Sequence, residues 1–405
     1  MKRLALAGSI TVLCGCSGLS LLPDKPEPTL ADLPGATLPE EAGALPRVAL
    51  TEVAENYRRV LAGTTDEETR LIIQHRLADI SLLDSEAREA GDTTPQSNFS
   101  DAIAAYQTLL QDNPDNPRND ELLYQLSKAY EFNGENARSL AVLEQLASSH
   151  PESPHLLEAE FRKAESYFSA GDYAAAERDY SRVVQYGAAS PYYTNALYMQ
   201  GWARFKQGEY DRAIGPLLAT VDQLMPSDNR LEQLPRGDAE LVQDSLRVLA
   251  VIFSYLDGAP AIASASTQYG ERPYQHLLYQ QLGDLYLSQE RDRDSAETYK
   301  AYTRTDPASR VAHEMQQRVI QSYAAGGFGD LVVEEKQYYV ELFSVSTPYW
   351  ECSSESGRAA IQPRLQLYIE ELARYNHALA PQALAANRSP NARTRPRSAH
   401  AANAA

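Results

Sequence analysis

Gly134, Gly171 and Gly208 stand 37 residues apart, each opening a Gly-(Asp/Glu)-X step. Other positions keep the same period. Tyr124, Phe161 and Tyr198 form one ladder, Leu109, Leu146 and Val183 another, and Ala102, Ser139, Ala176 and Ala213 a third; Pro114 and Pro151 add a further pair. Self-similarity at a fixed period of about 20–50 residues is the mark of a solenoid, in which each unit buries its apolar face only against its neighbours. A chain of this kind presents a surface and rarely does chemistry with its own side chains.

Within a unit the residue types alternate as two crossing helices require. From Leu123 to Pro151 the order is Leu126, Ser127, Tyr130, Gly134, Ser139, Leu143, Leu146 and Pro151. The next unit gives Ala164, Tyr167, Gly171-Asp172-Tyr173, Ala176, Tyr180 and Val183, and the one after gives Gly201, Phe205, Gly208-Glu209-Tyr210, Ala213 and Leu217. Small residues let two helices approach to about 8–10 Å while large ones fill the gaps beside them. Glycine supplies the positive φ that ends a helix, and proline cannot continue one. A fourth unit runs from Tyr279 through Gly283, Tyr286, Ser295, Tyr299 and Tyr302 to Pro307, and a weaker one follows with Tyr323 and Gly326-Gly327. Glu67 to Arg88 and Ala102 to Pro114 read as the helices of an earlier unit. Between Leu224 and Arg236 the period breaks, so that 225–236 reads as an inserted loop, and Ala239 to Tyr269 reads as a degenerate unit turning at Asp257-Gly258.

This pattern resembles the tetratricopeptide repeat, a helix-turn-helix unit of about 34 residues. The resemblance covers residues 50–345 and implies an all-α, right-handed α-solenoid of six to seven repeats. It is similar in plan to the tetratricopeptide lipoprotein of the outer-membrane β-barrel assembly machine and to the coordinator associated with the Tol system.

A formal charge of −18 argues against a general nucleic-acid binder, whose footprint is basic. Met1-Lys2-Arg3 and the apolar Leu4–Leu13 form a secretory signal too short to span a bilayer. Leu13-Cys14-Gly15-Cys16 resembles a bacterial lipobox, which implies cleavage before Cys16 and its acylation. Ser17 in place of Asp implies sorting to the outer membrane. Residues 1–15 are therefore expected to be a signal peptide and 16–47 a Pro-rich tether. The solenoid is expected over 48–345, a helical segment over 346–380, and a disordered Ala/Arg/Pro tail over 381–405. Cys352, the remaining thiol, leaves no internal disulfide and is expected to be half-buried beside Trp350.

Catalytic and metal motifs do not assemble. His313-Glu314-Met315-Gln316-Gln317 begins like a zincin helix but lacks the second histidine, and one His does not hold Zn²⁺. There is no Walker loop and no Gly-x-Ser-x-Gly elbow. The chain is read as a non-enzyme without cofactor or metal.

The family resemblance implies that the first helices line a concave groove, and it places Asn195, Tyr198, Trp202, Phe205 and Lys206 there. The preceding unit contributes Glu158, Phe161, Glu165 and Phe168, and the one before it Glu121, Tyr124, Lys128 and Phe132. Tyr and Trp bring large contact area at low rotamer cost, the make-up of an interface hot spot, although the same aromatics could pack between repeats. The expected function is a lipid-anchored periplasmic scaffold for envelope proteins or peptides, joined to the membrane through Cys16 and contacting no nucleic acid. The alternative is a non-catalytic part of a longer envelope protein, such as a hydrolase or a polysaccharide-export component.

Overall fold

The computed structural model describes residues 49–91, 99–226 and 231–388; the proposed signal peptide and the whole 16–47 tether, Cys16 included, lie outside them. Among the described residues there are seventeen α-helices, one short 3-10 turn at Leu231–Gln233 and no strand. After α1 (Leu50–Gly63) come seven antiparallel hairpins. They are α2/α3 (Glu67–Gly91, Ser100–Asp112), α4/α5 (Asn119–Phe132, Asn136–Ser149), α6/α7 (Leu156–Ser169, Tyr173–Gln185) and α8/α9 (Tyr193–Lys206, Tyr210–Leu224). The remaining three are α10/α11 (Arg236–Tyr255, Ala259–Tyr269), α12/α13 (Gln275–Ser288, Asp292–Thr305) and α14/α15 (Ala312–Ala325, Gly329–Phe343), followed by α16 (Pro348–Cys352) and α17 (Glu355–Arg388). Among the described residues no single helix is long and apolar enough to cross a membrane.

The periodic glycines set the hairpins. Gly134, Gly171, Gly208 and Gly327 take φ of 75°, 83°, 77° and 75°, the left-handed region that a side chain disfavours. At each, the next residue's N–H closes on the carbonyl five residues back: Glu135 on Tyr130, Asp172 on Tyr167, Glu209 on Arg204 and Phe328 on Tyr323, at 2.8–2.9 Å. This is the Schellman arrangement, and it satisfies carbonyls that a helix end leaves open. The α12/α13 turn has the same bonding, with Arg291 N–H on Tyr286 at 2.9 Å, but its left-handed residue is Glu290, at φ 59°.

The small-residue ladder Ala102, Ser139, Ala176 and Ala213 is buried throughout, as is Leu109, Leu146 and Val183. Close crossing is tightest at Gly201, where an added Cβ would lie 2.6 Å from Leu217 Cγ, and at Gly283, where it would strike the Tyr299 ring. Pro216 sits inside α9 and donates no N–H, so the Arg212 carbonyl four residues back loses its helical partner; Arg204 Nη1 supplies a replacement at 3.0 Å.

Adjacent elements are bolted by a recurring junction in which one carboxylate accepts both a tyrosine hydroxyl and an arginine. Glu158 takes Tyr124 and Arg162, Asp244 takes Tyr198 and Arg247, Asp222 takes Tyr274 and Arg272, and Asp284 takes Tyr299 and Arg318. Ionised acceptors make such bonds shorter and stronger than neutral pairs. Two charged pairs lie deeper. Lys163 faces Asp179 at 3.3 Å, and Lys300 faces Glu335 at 2.5 Å, with Gln316 Nε2 donating to Glu335 at 2.7 Å.

The C-terminal end differs from the sequence reading in two places. Cys352 is exposed rather than half-buried: it ends the five-residue α16, and Tyr349 turns into the core in its stead. The helix expected to close near residue 380 continues to Arg388, past Pro381, where disorder was expected; Ala and Leu beyond the proline are strong helix formers. On α17, Ile361, Leu365 and Tyr368 pack with Tyr339 and Phe343 of α15.

Candidate protein-binding groove

The first helices α4, α6 and α8 carry the residues expected to meet a partner, and their side chains divide into two groups. Tyr124 and Phe161, expected at the surface, are each 8 % exposed and belong to the core. Tyr124 stacks on His155 with ring centroids 4.6 Å apart, and its hydroxyl donates to Glu158 across the α4–α6 gap at 2.6 Å. Phe161 stacks on Tyr192, at the entry of α8, at 5.0 Å. Their aromatic character serves the joint between successive units, which removes them from any contact surface. Burial alone would raise the Glu158 carboxyl, but the Tyr124 hydroxyl and the Arg162 guanidinium outweigh it and hold it below the usual glutamate value.

At α8 the outcome is different. Asn195 and Lys206 are exposed, and Tyr198, Trp202 and Phe205 are half-buried. The polar ends of Tyr198 and Trp202 are already used: the hydroxyl and the indole Nε1–H both donate to Asp244 Oδ2 of α10, at 2.7 and 3.1 Å. Arg247 Nε donates to the other oxygen at 2.9 Å. Burial, then the bond to Asp244, pushes the Tyr198 hydroxyl up to about 12. The indole is therefore fixed in orientation, with the Lys206 ammonium 5.5 Å and the Arg247 guanidinium 5.9 Å from its ring centre, within cation–π range. Trp202, Phe205, Tyr210 and Tyr255 follow one another at 5.5, 5.7 and 5.1 Å between centroids, ending on the exposed ring of Tyr255. Phe168 repeats the second step of this series, packing on Tyr173 at 5.2 Å, the first residue of its own second helix.

Asp244 and Arg247 were not identified from sequence. Asp244 lies 46 residues after Tyr198 because the insertion before α10 breaks the 37-residue count. Re-phasing the alignment beyond the insertion is the signal that would have brought α10 to α8. Among the described residues no three or more His, Cys, Asp or Glu side chains come together as a metal site. Burial holds the His313 imidazole below its usual value, and it packs edge-on against Phe343 and Tyr349.

Two tetratricopeptide-repeat family models match the chain, over residues 96–160 and 161–228, about a third of its length. No curated protein matches the sequence. Similar solved structures include a tetratricopeptide repeat protein from Parabacteroides merdae, 16 % identical, covering 72 % of this chain and 98 % of that one with a TM-score of 0.33. MamA from Desulfovibrio magneticus is 18 % identical, with 47 % and 92 % covered and a TM-score of 0.32. The Naa15/Naa10 complex bound to HypK is 12 % identical, with 79 % and 46 % covered and a TM-score of 0.37. Residues 96–228 of this all-α chain are thus built of tetratricopeptide repeats, units whose proteins generally act as non-catalytic scaffolds that bind other proteins.

Proposed function

We propose that this chain is a scaffold held at the periplasmic face of a bacterial outer membrane by acyl chains on Cys16, and that it captures other envelope proteins along the α8–α10 stretch of its groove. The observation that carries the binding reading is Trp202: a large, half-exposed ring held rigid by Asp244 and flanked by exposed Asn195 and Lys206. Aromatic anchors of fixed rotamer lose little entropy on association. The anchoring reading rests on the lipobox resemblance at residues 13–16 and the secretory signal before it. Bacterial lipidation adds more than one acyl chain, and stable membrane attachment needs more than one.

The test is crosslinking and pull-down of the anchored protein from envelopes. Trp202→Ala is expected to remove bound envelope proteins while the helical circular dichroism spectrum is kept; unchanged capture would refute the groove assignment. Cys16→Ser is expected to abolish palmitate incorporation and release the protein from the membrane fraction. Labelling that persists in the variant, or is absent from the natural chain, would refute the anchor.

A further inference from the structure

The chain carries a formal charge of −18, yet α8 carries two basic residues, Arg204 and Lys206, and no acidic one, alone among the helices of the described hairpins in that balance. Arg204 is engaged, its guanidinium on Glu177 of α7 and on the Arg212 carbonyl. Lys206 is exposed and lies over the Trp202 ring rather than against a carboxylate. On the other side of the groove, Asp244, the carboxylate nearest Trp202, is neutralised by Arg247, whose side chain is still 57 % exposed. The result is a small site of one net positive charge around an aromatic face, Lys206 standing in excess over the Arg247–Asp244 pair.

We infer that the segment recognised at this site is an acidic peptide that lays an apolar or aromatic residue on Trp202 and sets carboxylates against Lys206 and the open face of Arg247. The inference rests on the scaffold reading and adds the chemistry of the partner. Elsewhere the acidic surface repels such a segment, so the same charge balance that attracts it at α8 also fixes where it lands. Asn195 offers its side-chain amide to the peptide backbone at the other end of α8. A basic peptide would meet Lys206 and Arg247 with like charge and is excluded from this position.

The probes are a synthetic acidic peptide with a central phenylalanine flanked by glutamates, and its counterpart with lysines in their place. Binding is read from Trp202 fluorescence in the full chain carrying Trp350→Phe, which leaves Trp202 as the single indole. The acidic peptide is expected to bind and the basic one not to perturb the indole. Lys206→Glu should weaken the acidic peptide on the order of tenfold, and Arg247→Gln by a smaller factor, both losses shrinking as salt is raised. Binding of the basic peptide, no binding of the acidic one, or an acidic-peptide affinity unmoved by Lys206→Glu would each overturn the inference. If the peptides fail while Trp202→Ala still abolishes capture from envelopes, the scaffold reading stands and only the partner chemistry is wrong.

Discussion

Replacing Glu290 by glycine should make the protein more stable, an unusual expectation for a change that deletes a side chain from a helix boundary. Glu290 occupies the left-handed position of the α12/α13 turn at φ 59°, where four other hairpins of the array place Gly134, Gly171, Gly208 and Gly327. Left-handed backbone costs an L-residue about 1–2 kcal/mol relative to the right-handed region. Glycine removes that strain but returns about 0.4–1 kcal/mol of freedom to the unfolded chain. The Glu290 side chain is exposed, so little packing is lost with it. The net gain is about 0.5–1 kcal/mol, which slows opening of the turn about two- to fivefold. A single turn of a repeat array opens without global unfolding, so a global melting point dilutes an effect confined to it. Native-state hydrogen exchange at the Arg291 N–H, which closes on the Tyr286 carbonyl, reports the turn directly. The mirror experiment is Gly171→Ala. A Cβ there meets no atom within 4 Å, so its whole effect is the φ of 83°, and exchange at the Asp172 N–H should quicken by a comparable factor. Faster exchange in Glu290→Gly, or no change in Gly171→Ala, would show that turn conformation does not limit the stability of these hairpins.

Gly201→Ala drives a methyl to 2.6 Å from Leu217 Cγ and should cost about 1–3 kcal/mol. Urea unfolding of Gly201→Ala, Leu217→Ala and the double variant should show the double costing less than the two singles added. Glu160 is buried with Oε2 lacking a hydrogen bond, and burial raises its carboxyl despite Arg182 and Lys163 nearby. Its folded pKa therefore lies above the unfolded one, so the favourable protonated state is complete at low pH and is lost as pH rises through the folded value. Glu160→Gln should accordingly raise stability at neutral pH and lose that advantage below the ordinary glutamate pKa, a crossover that urea titrations at several pH values would reveal or refute. Lys300→Met strands the nearly inaccessible Glu335 carboxylate and should cost about 3–5 kcal/mol. The pair Lys300→Met/Glu335→Leu should recover most of that loss in thermal unfolding.

The hairpins and their crossings were legible because each repeat repeats the same local demands. Glycine at a left-handed turn, a small residue opposite a large one, and proline in the connecting loop recur at one spacing, and Gly134, Ala176 and Pro151 announce their roles without reference to the rest of the chain. Glu290 was not legible, since the conformation there is imposed by the flanking helices against the preference of the residue. The groove was only half readable. A tyrosine that caps a junction and one that meets a partner have the same sequence signature, and it is Glu158 and His155 in space that commit Tyr124 to the interior. Asp244 was hidden by the insertion, and the extension of α17 past Pro381 by a composition that suits a loose tail as well as a helix.

The interior is divided along the chain. Separate buried clusters follow one another, and the one formed by α6, α7 and α8 depends on Phe161, Tyr180 and Val183 around four alanines, whereas the cluster from Ala213 to Tyr323 is filled by leucines, tyrosines and a phenylalanine. Pulled from its two ends, such a molecule has no single breaking load. Its blocks open one at a time, each lengthening the chain by a step while the rest stay folded, so the protein yields as a row of linked segments.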